Sequence, residues 1–183
     1  MSDIIRAHDP EWAGKFQIEA DLLKSIIRAN AHLVEHIGST SIPGIFTKPV
    51  IDILIGVEDL GAVDQCVGEM EIQGYEAKGS YGLEGRRYFR KSNDVGVRTH
   101  HVHIFQMGSP DLVRHLAFRD YLTAHPDKAT EYSNYKRDIT NQAGMTRKRY
   151  QDMKQECVDR LDREAQAWLE TLKSMPKPSA KSA

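Results

Sequence analysis

The sequence predicts an α+β fold, and three observations carry that prediction. Two short apolar runs, His32 to Ile37 and Val50 to Val57, are bounded by glycine and proline in the way strands are. The stretch VRTHHVHIFQ, residues 97–106, alternates with period two and adds a further strand. From Pro110 onward apolar residues recur at helical spacing through three successive segments, with no return of a strand signal. The resulting order is one helix, mixed strands with one helix, then three helices, without internal repeats. Such an order describes a mixed β-sheet with flanking helices and a helical C-terminal half.

Each element has its own local warrant. Asp9-Pro10-Glu11 is a helix start, since aspartate accepts from free N–H groups and proline fits the first turn. Trp12, Phe16, Leu23, Ile26 and Ile27 then share one face of a helix that ends near Asn30. His32 to Ile37 is a strand, broken by Gly38-Ser39-Thr40, small residues that let backbone donors approach a ligand. Pro43-Gly44 and Lys48-Pro49 exclude a long helix before the second strand at Val50. Glu58 to Gln73 carries Leu60, Val63, Val67 and Met70 at helical spacing, with Cys66 expected to be buried and Gly74 as the stop. Tyr75 to Arg90 predicts a hairpin. In the next strand His101, His103 and Phe105 share one face, and His100, Val102 and Ile104 the other. Val113, Leu116, Ala117, Tyr121 and Ala124 line a helix interrupted at His125-Pro126, after which Asp127 is expected to cap a helix bearing Tyr132, Tyr135 and Ile139. Met145-Thr146 opens the last helix, and the tail SMPKPSAKSA is expected to be disordered.

Composition narrows the functional classes. Among 183 residues, 25 lysines and arginines face 26 acids, a formal charge of -1, so no global field draws the chain to nucleic acid or an anionic membrane. Any anion site has to be local. Cys66 and Cys157 stand far apart without metal-ligand spacing and suit a reducing compartment. No run approaches the roughly 18 apolar residues of a membrane span, and the first residues lack an apolar signal segment, so no membrane association and a cytoplasmic location are expected. No serine elbow or cysteine–histidine pattern supports nucleophilic catalysis.

The chemistry concentrates in VEHIGSTSIPGIFTKPVIDIL, Val34 to Leu54. A buried strand has no use for a carboxylate, so Asp52 must be paired, metal-bound or at an opening. Gly38-Ser39 at a strand end is a phosphate-friendly element, because small residues expose backbone N–H groups and the hydroxyl adds a donor. An acid on the strand beside such a turn can hold a cation that neutralises phosphate. His101 and His103 share a strand face and are candidate ligands with Asp52, Glu35 being a further supplement, and imidazole favours a transition metal over Mg²⁺. The alternative is an Asp52 that only bonds the backbone of the Gly38 turn. Arg86-Arg87-Tyr88-Phe89-Arg90-Lys91 joins forked donors to aromatic faces; alternation sends Arg86, Tyr88 and Arg90 one way and Arg87 and Phe89 the other, and Arg87 is assigned to phosphate.

This segment resembles the nucleotidyltransferase superfamily, whose signature is an apolar residue, Gly-Ser or Gly-Gly, a spacer of about a dozen residues, then two acids flanking an apolar residue. Ile37, Gly38, Ser39, Asp52 and Ile53 match it, but Leu54 stands where the second acid belongs. Within the superfamily the chain resembles the GrpB-like family through Glu35 to Thr40, Pro43-Gly44, Lys48-Pro49, Ile51-Asp52-Ile53, Gly74-Tyr75, Thr99-His100-His101, Phe118 to Leu122, and Tyr132 with Lys136. The resemblance implies a nucleotidyltransferase-like core over residues 1–108, a helical region packed on it over 109–173, and a tail from 174 to 183. It implies Asp52 as the catalytic and metal-binding acid, with a divalent Mg²⁺, Mn²⁺ or Zn²⁺. Gly38, Ser39, Thr40, Lys48, Arg87, Arg119 and Lys136 are then the phosphate contacts, and the ligand a nucleotide or another phosphorylated small molecule. The loss of the second acid implies the alternative, a non-catalytic binding or folding-assistance domain of the kind fused to dephospho-coenzyme A kinase in some relatives.

Overall fold

The computed structural model describes residues 5–175. Its elements are α1 (Glu11–Ile27), β1 (Ala31–Ile37), β2 (Ile51–Val57), α2 (Leu60–Gln65), α3 (Val67–Ile72), β3 (Tyr75–Ala77), β4 (Arg86–Ser92), β5 (Arg98–Gln106), α4 (Pro110–Ala124), α5 (Pro126–Thr140) and α6 (Arg147–Ser174). The strands form one mixed sheet in the order β1-β2-β5-β4-β3. Only β2 and β5 run parallel; the other three pairings are antiparallel.

The two faces of the sheet have different tasks. Alternation turns Ile51, Ile53 and Ile55 of β2, with Val102 and Ile104 of β5, toward α1, where they meet Trp12, Leu23, Ile26 and Ile27. Burial of each such side chain contributes about 1.5–3 kcal/mol, so this layer carries much of the stability. The opposite face carries Asp52, Leu54 and Gly56 of β2 beside His101, His103 and Phe105 of β5. Near its lower end α4 presses Leu112 onto Ile37, Leu54 and Phe105. Gly56 permits that approach, since a Cβ there would stand 2.9 Å from Leu112 Cδ1. The C-terminal helices have their own apolar cluster, in which Ala117, Tyr121, Tyr132, Cys157 and Leu161 join Ile42 and Ile45 from the β1–β2 connection.

Several local expectations are corrected. The helix expected over 58–73 is two short helices separated at Cys66. Its cap is Asp59, which accepts from the Gly61 N–H at 2.7 Å, and Cys66 is half-buried rather than buried. Asp127 does not cap α5; it lies in the first turn after Pro126, where its charge complements the helix dipole. Of the tail expected to be disordered, Ser174 ends α6 and residues 176–183 lie outside the described residues. No helix among the described residues is long and apolar enough to cross a membrane.

A candidate metal and phosphate site

The parallel register of β2 and β5 sets Asp52 beside His101 and Leu54 beside His103. Because the side chains alternate in phase, one carboxylate and two imidazoles converge on the uncovered part of the sheet. His101 Nδ1 donates to Asp52 Oδ1 at 2.9 Å, and His103 Nε2 lies 3.7 Å from the same oxygen. One donor atom from each residue falls within 4.8 Å of the others. Ligands at Zn–N and Zn–O distances of about 2.0–2.1 Å in a tetrahedron lie roughly 3.3 Å apart, so a small widening of the Asp52–His101 contact admits a cation. Burial pushes the Asp52 carboxyl up, but the His101 hydrogen bond and the attraction of both nearby imidazoles outweigh it and hold it well below the usual carboxylate range. Burial pushes His103 down, against the attraction of the Asp52 carboxylate 3.7 Å away. The acid is thereby held as an anion, and burial favours the neutral form of His103, the form in which imidazole binds metals.

Gly38 fixes the position of that carboxylate. It takes φ of +70°, and a Cβ built on it would lie 2.4 Å from Asp52 Oδ2. No side chain fits between the turn and the acid. Asp52 keeps 26 % of its side-chain surface open, so it stands at an opening beside the glycine turn rather than sealed in hydrocarbon. Below the turn His36 stacks on Phe16 and is pushed by burial to a pKa of about 4, which keeps it neutral.

Asp52, His101, His103, Gly38 and Ser39 line a cavity of about 870 Å³ between the sheet and the C-terminal helices. Its walls are aromatic, with Tyr88 at the sheet end and Tyr132 and Tyr150 at the helical end. Its charges are chiefly positive. Arg90 and Arg98 enter from the sheet, and Lys48, Lys136, Lys148 and Lys154 from the connection and helices. Asp162, the other acid of the wall, is tied to Arg114 at 3.0 Å. Lys48 Nζ lies 4.7 Å from the Tyr150 ring centre. Lys136 is 1 % exposed, with Nζ 4.1 Å from the Tyr132 ring centre and no hydrogen-bond partner among the described residues.

The cavity thus gathers Gly38, Ser39, Lys48, Asp52, His101, His103 and Lys136 from the sequence-based set, and four residues fall elsewhere. Thr40 is buried behind the turn, with its hydroxyl between His36 Nε2 at 2.9 Å and the Val50 carbonyl. Arg87 points to the other face of the sheet and grips Asp64, with one contact of 2.6 Å. Arg119 is held by Glu35 at 2.6 Å, by the His36 carbonyl and by Asp120, which also removes Glu35 from the metal set. Arg98 and Lys154 were missed. Arg90 was legible as facing with Tyr88, and its registry with His101 is what aims that face at the cavity.

A family model described as GrpB protein matches residues 4–164. The UPF0157 protein YqkA of Bacillus subtilis is 40 % identical over 161 residues; these cover 88 % of this chain and only 46 % of YqkA. A dephospho-CoA kinase of Mycolicibacterium paratuberculosis is 34 % identical over 159 residues, 74 % of this chain and 39 % of the kinase. The chain thus spans less than half the length of both. The crystal structure of conserved protein GrpB from Enterococcus faecalis superimposes with a TM-score of 0.83 at 40 % identity, covering 90 % of this chain and 99 % of that one. A structure of the Cid1 poly(U) polymerase with Mg 3'-dATP bound gives a TM-score of 0.51 at 13 % identity, over 72 % of this chain and 41 % of that one, a likeness of fold alone. The fold is structurally related to that of nucleotidyltransferases.

Proposed function

The chain belongs to the GrpB protein family, and on that premise we propose a binding domain that holds a nucleotide or another phosphorylated small molecule through a divalent metal. The single observation behind this reading is the meeting of Asp52, His101 and His103 in a cavity whose other charges are mostly cationic. Two imidazoles and one carboxylate suit Zn²⁺ or Mn²⁺ better than Mg²⁺. When bound, the ion supplies Lewis-acid neutralisation of phosphate charge. Ser39 and the Gly38 turn border the same space and offer small, polar donors to phosphate oxygens, while Lys48, Arg90 and Arg98 balance the remaining charge.

Leu54 favours binding over transfer. Two-metal phosphoryl chemistry needs several carboxylates to offset the ions and position the attacking oxygen, and the position two residues beyond Asp52 is hydrocarbon. The second reading, metal-dependent nucleotidyl transfer, draws on the likeness of fold to Cid1 and on Asp52 as the catalytic acid. The match to part of a dephospho-CoA kinase supports a domain that serves a larger chain.

Titration calorimetry with nucleoside triphosphates in the presence and absence of Mn²⁺ or Zn²⁺ separates these readings. The expected result is binding that needs the metal, with no pyrophosphate release across a panel of hydroxyl acceptors. Pyrophosphate release that Asp52→Asn abolishes would establish the transferase reading, and metal-independent binding unchanged in Asp52→Asn would remove the metal from the account.

A further inference from the structure

Lys136 is an anomaly that phosphate binding leaves unexplained. Lysine is almost never fully buried without a partner, because the charged form loses its hydration and gains nothing in exchange. Here the side chain lies at 1 % exposure in the wall of the cavity, its amine over the face of Tyr132 and without a hydrogen bond among the described residues. More exposed cations at the same end, Lys148 and Lys154, serve an anion better. A shielded amine beside a neighbouring cation is instead the setting of a nucleophilic lysine.

We infer that Lys136 is a covalent site, an amine that condenses with the carbonyl group of a phosphorylated aldehyde or ketone. The inference rests on the phosphate-binding reading of the cavity, and it narrows the class of ligand. The lone pair of the neutral amine adds to the carbonyl carbon, the C=O pair moves to oxygen and takes up a proton, and the carbinolamine forms. Loss of water, with the second nitrogen proton, leaves a C=N bond. The overall balance is amine plus carbonyl giving imine plus water, with no oxidant or reductant. Burial pushes Lys136 well below the ordinary lysine value, and the charge of Lys154 adds to the push, which favours the free base over the ammonium. Tyr132 and Tyr150 give the cavity around the amine an aromatic wall, while Lys48, placed over Tyr150, and Lys154 line the same cavity and supply charge for a phosphate tail.

Pyridoxal 5'-phosphate is the probe, with borohydride reduction and peptide mapping of the trapped secondary amine. At substoichiometric probe the adduct is expected on Lys136, absent from Lys136→Met and Lys136→Arg. Pyridoxal without phosphate is expected to label roughly tenfold less or weaker still, the loss of one charge-assisted phosphate contact. Lys136→Met is expected to melt no lower than the parent chain, since a thioether replaces an uncompensated amine, which separates loss of labelling from loss of fold. Adducts confined to exposed lysines such as Lys15 and Lys173, and equal in Lys136→Met, would overturn the covalent site even where calorimetry registers pyrophosphate binding. Labelling of Lys136 that is equal for both probes and not protected by pyrophosphate would keep the amine and overturn its phosphorylated ligand.

Discussion

Leu54→Asp, which writes the missing second acid back into β2, is expected to destabilise the fold by more than about 4 kcal/mol and to yield no transferase. Leu54 is fully buried among Ile37, Phe105 and Leu112. Removal of a buried leucine alone costs about 2–5 kcal/mol, and a carboxylate in the same hydrocarbon site adds several more or forces protonation. Position 54 is therefore no open seat for a second acid: it is where α4 packs, and Gly56, next on the same face, accepts the same helix. Chemical denaturation of Leu54→Asp beside Leu54→Ala checks the point: the aspartate variant should fall well below the alanine one. A folded Leu54→Asp with near-parent stability and measurable nucleotidyl transfer would contradict the packing account.

The second large effect belongs to Gly38→Ala, expected to cost about 2–4 kcal/mol and to weaken metal binding by on the order of a hundredfold. About 1–2 kcal/mol comes from placing an L side chain at φ of +70°. The rest comes from the new Cβ, 2.4 Å from Asp52 Oδ2, which must drive the carboxylate off the turn. Gly44→Ala is the internal control, because Gly44 has φ of +79° but nothing within 4 Å of an added Cβ. It should show the backbone cost alone and an unchanged metal affinity. Equal effects of the two substitutions on metal binding would mean that the contact between turn and acid has no functional role.

Much of the site was legible because its pieces obey strand periodicity. Alternation puts the two histidines on one face of their strand and makes an acid inside an apolar run conspicuous, while the β2–β5 register brings the three together, at 2.9 and 3.7 Å. The cations were harder to assign. Alternation separated Arg87 from Arg90 but did not reveal which side held the cavity; that depended on the register with β5, where Arg90 lies opposite His101. Arg119 sat in a segment matching the family, yet its partner Glu35 is 84 residues away in sequence, a contact that exists only once α4 lies across β1. Lys154 carried no local signal. It reaches the cavity because α6 packs back over α4 and α5. Likewise Leu54 was visible as a departure from the signature, while the reason for it, Leu112 pressing from α4, belongs to tertiary packing.

Anomalous scattering from crystals soaked in Mn²⁺ or Zn²⁺, paired with calorimetry on Asp52→Ala, tests the central claim most directly. One ion per chain is expected in the space bounded by the Asp52 carboxylate and the His101 and His103 rings, with binding lost in Asp52→Ala. An anomalous map empty at that point, together with the same affinity in both proteins, would contradict it.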